Sequence, residues 1–90
     1  MKKLKKGNRL TDIPGVGFSI SRDLQNIGIK TVDDLIGKNP EQLYERSNAY
    51  AGCKQDRCLL YVYRCAVYYA ATDEDNRDEE KLKWWNWKDI

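Results

Sequence analysis

Two glycines flank a valine directly after a proline: Pro14-Gly15-Val16-Gly17. Proline fixes its own φ, and glycine lacks a Cβ, so this run specifies a tight turn whose backbone is open to close approach. In such a turn the successive N–H groups of Gly15, Val16 and Gly17 form a small concavity for an anion. A helix is predicted to start directly afterwards, and its positive end adds to the attraction. Ser19 falls in the first turn of that helix with a hydroxyl to donate, and Arg22 follows one turn later. Lys30 opens the next short element. The chemistry these residue types support is the holding of a phosphate oxygen. Gly15, Val16, Gly17, Ser19, Arg22 and Lys30 are therefore the candidate nucleic-acid-binding residues.

Other constellations carry less. The chain has no histidine, no nucleophile–base pair and no Walker-type loop, so no catalytic residue is assigned and an enzyme is not expected. Asp33-Asp34 and Glu79-Glu80 are adjacent acids at predicted helix starts, where the helix dipole favours them. Cys53, Cys58 and Cys65 lack C-x-x-C spacing, so neither a metal site nor a cofactor is expected, and buried free thiols are the plain reading. Cys58 and Cys65, on one helix, stand about 10 Å apart at the helical rise, beyond the reach of a disulfide. Cys53, ahead of a helix and beside Lys54, has the surroundings for a reactive thiol, which keeps a redox role as a remote alternative.

The elements that must position the hairpin read as helical throughout. A short helix over 8–12 precedes the turn. A second, over 18–27, carries Ile20, Leu24 and Ile27 on one face and stops at Gly28. Thr31 caps a third whose buried stripe is Val32, Leu35 and Ile36. Asn39 caps a fourth with Pro40 at its first position and Gln42 in a capping-box place, ending near Ala51-Gly52. The fifth, over 54–71, is apolar nearly all round, with Lys54, Arg57 and Arg64 as its polar stripe, and so is the central buried helix. That stripe reads as solvated, with a second phosphate contact as the alternative. An acidic loop over 72–80 leads to Trp84, Trp85 and Trp87, which fold back over the long helix or meet a partner.

Ninety residues with 41% hydrophobic and 33% charged side chains make one modest globular domain. The boundaries read as a basic tail over 1–7 and a domain over 8–90. No apolar run nears the roughly 20 residues of a membrane span, and the lysine-rich start is no signal peptide. Together with the odd number of cysteines, this reads as cytoplasmic. Net charge is +2 but uneven: residues 1–30 carry +5, 31–71 are neutral and 72–90 carry −3. A basic front suits a phosphate partner.

Leu-Thr-Asp-Ile-Pro-Gly-Val-Gly at 10–17, Gly-Ile-Lys-Thr-Val-Asp-Asp-Leu at 28–35, the tyrosine-rich run over 56–70 and Lys-Trp-Trp-Asn-Trp-Lys at 83–88 together resemble the bacterial pathogenicity-locus, mitomycin-resistance-like family. The first half is also similar to the C-terminal domain of TfoX-type competence regulators. The resemblance implies an all-α helix-hairpin-helix, a SAM-like bundle of about five helices, and by analogy DNA binding. Phe18 stands where such hairpins often carry proline, in position to crowd a phosphate or pack on a sugar. The expected function is non-sequence-specific grip on the DNA backbone, accessory to DNA transactions, with no membrane or small-molecule substrate. The alternative is a protein-interaction module, or homodimer, built on the same fold.

Overall fold

The computed structural model describes residues 8–88. The basic tail assigned to 1–7 lies outside them. Within the described residues there are three α-helices, α1 (Phe18–Asn26), α2 (Pro40–Ala51) and α3 (Arg57–Ala71), and no strand. Single 3-10 turns cover Leu10–Asp12, Val32–Leu35, Glu74–Asn76, Glu79–Leu82 and Trp84–Trp87. The first and third helices expected from sequence are thus 3-10 turns, too short to propagate an α-helix.

Local signals set the ends of α2. The Asn39 side chain accepts from the N–H groups of Glu41 and Gln42 at 2.9 and 3.2 Å. Asn39 therefore makes both cap bonds itself. Pro40 occupies the first position, and Gly52 closes the helix in the left-handed region with φ 73°. Leu43, Tyr44 and Ser47 form the buried face.

The long helix α3 begins at Arg57, three residues later than its apolar pattern suggests. The Asp56 carboxylate caps it by accepting from the Cys58 N–H at 2.9 Å. The preceding segment is held off the helical path from outside: Asn48 accepts from the Gln55 N–H at 2.8 Å, and the Tyr44 hydroxyl donates to the Gln55 carbonyl. Beyond Asp56, burial runs nearly all round α3, taking in Leu59, Leu60, Tyr61, Val62, Tyr63, Cys65, Ala66 and Tyr69. These join Leu10, Ile13, Val16, Leu24 and Leu35 in one core.

Arg64, the polar exception in the middle of α3, does not face water. Its guanidinium meets the Glu41 carboxylate at 3.1 Å and donates to the Trp87 carbonyl at 2.8 Å. Arg64 thus clasps α2 and the C-terminal segment to α3. Leu82, Trp84 and Trp87 pack on the core, and the Trp87 indole N–H donates to the Lys81 carbonyl at 2.7 Å. Arg77 lies over the Tyr69 ring, 3.6 Å from its centroid, and holds the acidic segment to the end of α3. Ile36, expected in the buried stripe, is exposed instead. The chain leaves the 3-10 turn in extended conformation at that residue, which takes its side chain off the buried face.

Inside the core the Ser47 and Tyr63 hydroxyls pair at 2.6 Å. Burial pushes the Tyr63 phenol from 10.0 up to about 12, although its bond to Ser47 opposes the shift. Burial likewise pushes the Cys65 thiol from 9.0 up to about 11. Both groups are fully buried in their neutral forms. Folding stability is therefore complete below the ordinary value of each group. It is lost as pH rises toward the folded value, because the unfolded chain releases those protons first. Chemical denaturation at a series of alkaline pH values is expected to show stability falling by on the order of 2 kcal/mol per group. Tyr63→Phe is expected to flatten the upper part of that fall.

Candidate nucleic-acid interface

The glycine turn is fixed from below by apolar anchors. Leu10, Ile13 and Val16 are buried, and the chain between them winds through short bonds, with the Ile13 N–H donating to Leu10 and the Val16 N–H to Ile13 at 3.1 and 3.0 Å. Gly15 takes φ 88°, a left-handed conformation that favours glycine. Asn8 braces the far side: its carbonyl accepts from the Val32 N–H and its side chain from the Asp33 N–H. The turn at Val32–Leu35 is thereby tied to the segment that leads into the glycine turn.

Helix α1 then opens at Gly17, whose φ of −90° and ψ of −170° are ordinary extended backbone, with no side chain capping the helix. By contrast, α2 and α3 are capped by Asn39 and Asp56. Space beside Gly17 is open: a Cβ there would meet nothing within 4 Å. At the other end of α1, Arg46 donates to the Ile27 carbonyl, placing a cation at the negative end of the helix.

The six sequence-assigned residues are only partly brought together. Gly17, Ser19 and Arg22 lie exposed along the start of α1. Lys30 is exposed beyond its end and shares a cleft of about 260 Å³ with Arg9, Phe18 and Gln25. Val16 is a correction. Its N–H is spent on the Ile13 carbonyl and its side chain is buried, because the turn needs that bond to close. Gly15 is itself exposed, and a Cβ added to it would sit 2.9 Å from the indole Cδ1 of Trp84. Arg9 and Phe18 were absent from the assignment. Arg9 was legible as a cation directly before the first apolar anchor, and Phe18 was singled out only through the family resemblance, in the place of a proline, where it is indeed exposed.

The two flanks of the glycine turn differ in charge. The cleft with Arg9 and Lys30 has no carboxylate in its wall. On the other flank, a cleft of about 400 Å³ between Gly15, Ile20, Leu59 and Trp84 includes Asp23 and Asp56. A polyanion is favoured on the first flank and repelled from the second.

Neither of the remaining candidates adds to this surface. Arg64 is engaged as described, and the Arg57 guanidinium lies near the Tyr61 ring with its Nε donating to the Tyr61 hydroxyl at 3.3 Å. All three cysteines are free, with Cys53 exposed and Cys65 buried. The hydrogen bond to the Asp56 carboxylate, helped by burial, pushes the Cys58 thiol up, away from the reactive thiolate. Among the described residues no cluster of His, Cys, Asp and Glu is placed to hold a metal, and no helix is long and apolar enough to cross a membrane.

Fold and surface together define a small all-helical protein with one uncapped, glycine-opened α-helix beside a basic cleft. The chain belongs to the Cdd1 family, described as Pathogenicity locus, whose model matches residues 3–90. It is also similar to the mitomycin resistance protein McrB of Streptomyces lavendulae, at 39% identity over 61 residues that cover 68% of this chain and 58% of that protein. The chain thus spans well under two thirds of that relative's length. The resemblance carried by the segments at 10–17, 28–35, 56–70 and 83–88 agrees with both matches. No solved structure matches the chain.

Proposed function

We propose that this protein grips nucleic-acid backbone without reading sequence, through a helix-hairpin-helix formed by the 3-10 turn at Leu10–Asp12, the glycine turn and α1. The observation that carries the reading is the uncapped start of α1 at Gly17, beside open space and exposed Ser19 and Arg22. The first N–H groups of a helix need partners. Where no side chain supplies one, water or an anion must, and a phosphate oxygen fits their charge and geometry. Phosphate contacts of this kind position a protein on its ligand and carry no sequence information.

The grip differs from the one the sequence implied. Its backbone donors are at Gly17 and the first turn of α1, not at Val16. Arg22 supports them, and Arg9 joins Lys30 across the cleft. The relative's name concerns mitomycin resistance in that protein, and the present reading rests on the hairpin instead.

A mobility-shift or anisotropy titration with unrelated DNA sequences tests the proposal. Affinity is expected to be equal across sequences and to fall steeply between low and physiological salt. A grip through three or four phosphates loses on the order of tenfold to a hundredfold over that range. Affinity that ignores salt points instead to an apolar protein interface and removes the reading.

A further inference from the structure

We propose that Phe18 is a stacking platform for an unpaired base, so that the preferred ligand is single-stranded or frayed nucleic acid and not blunt duplex. The inference rests on the backbone grip just proposed and names its substrate class.

Phe18 is the only phenylalanine in the chain, and it is 89% exposed. That placement forfeits the gain from burying a large apolar ring. The fold does not ask for it there. Phe18 is the first residue of α1 and contributes nothing to the core, and an aromatic is a poor helix former. Among the described residues no ring or cation covers it, although Tyr61, Tyr68 and Tyr69 each hold an arginine or lysine over their faces.

What surrounds the ring identifies its partner. Phe18 borders the cleft with Arg9 and Lys30, two cations in a wall without a carboxylate. Neither cation makes an ion pair among the described residues. Arg22 stands four residues on, which puts it on the same face of α1. Grooves that hold single strands combine these parts: a π-face for a base, with cations following the backbone. An apolar protein helix seated here would cover both cations without bringing a counter-charge of its own, and the nearest carboxylates, Asp12 and Asp34, are engaged with the backbone N–H groups of Arg9 and Lys30. A strand of nucleic acid brings that counter-charge with every nucleotide. In a closed duplex the bases already stack on one another and offer the ring no face, so the exposed ring only crowds the backbone.

The test is anisotropy with a labelled oligothymidylate and a blunt duplex of equal length, using the full chain and its Phe18→Ala, Phe18→Tyr and Gly17→Asp variants. The wild type is expected to prefer the single strand. Phe18→Ala is expected to weaken that binding by about tenfold or more while blunt-duplex affinity holds or rises. Phe18→Tyr keeps a ring and is expected to retain the preference. An exposed side chain leaves thermal stability unchanged, so misfolding does not confuse the result. If Phe18→Ala binds the single strand as the wild type does while Gly17→Asp loses it, the platform is wrong and the backbone grip stands. If the wild type binds neither ligand, both fall. If Phe18→Ala changes only self-association, measured by sedimentation, the ring is a protein contact and the platform is overturned.

Discussion

Gly17→Asp is expected to abolish nucleic-acid binding while leaving the fold as stable as before, or slightly more so. Gly17 is the N-cap of α1, its extended backbone is one any residue adopts, and a side chain there meets no neighbour within 4 Å. Aspartate is a better N-cap than glycine by a few tenths of a kcal/mol, because its carboxylate accepts from the first helical N–H groups. A negative charge at this end of the helix adds about 0.3–1 kcal/mol more. The same carboxylate occupies the place of a phosphate oxygen and repels the next one. Hydrogen bonds to a charged group are worth about 1.5–3 kcal/mol each, so losing two of them weakens binding about 100-fold or more. Gly17→Asn separates the two effects, since it caps without charge and should fall between wild type and Gly17→Asp. Anisotropy and a melting curve on the same preparations decide the matter. Affinity within twofold of wild type, with melting temperature unchanged or raised, would remove α1's start from the interface.

What the sequence revealed depended on how far each determinant lies along the chain. Helix α2 was legible to the residue because Asn39, Pro40 and Gly52 act within one turn of its ends. The wrap-around burial of α3 was legible because eight of its fifteen residues are core. Its first residue was not, because the bonds from Asn48 and Tyr44 to Gln55 that hold the linker extended span 7 and 11 positions. Arg64 looked like part of a solvated stripe. Its partners Glu41 and Trp87 each lie 23 residues away, and only the tertiary fold brings them together.

The candidate site follows the same rule. The tight turn itself was written in Pro14-Gly15-Val16-Gly17. Which of its amides remain open was not, since that depends on Ile13 taking the Val16 N–H and on the absence of a cap at Gly17. The two flanks of opposite charge were likewise hidden. Lys30 reaches the Arg9 side of the glycine turn and Asp23 the Asp56 side only once α1 is packed.

A second large effect falls on stability, at Gly15. Its φ of 88° costs a residue with a Cβ about 1–2 kcal/mol. The added atom would also sit 2.9 Å from Trp84 Cδ1 and 3.5 Å from Cγ, so the indole must move. Trp84 has little freedom to do so: it packs on the core in a segment that Arg64 holds through the Trp87 carbonyl. Gly15→Ala is therefore expected to cost about 2–4 kcal/mol in all and to lower the melting temperature by about 10 °C or more. Trp84→Ala loses packing on its own account, but it removes the clash. The double variant should then cost about 1 kcal/mol less than the two single losses added together, the remainder being the φ strain. Strict additivity in that cycle would show that Gly15 and Trp84 do not meet. The same cycle separates structure from binding at the two glycines. Any loss of affinity in Gly15→Ala should track its lost stability and recover in part with added osmolyte, because the turn has been displaced and not blocked. The loss in Gly17→Asp should persist under every condition in which the protein is folded, because there the phosphate's place is taken.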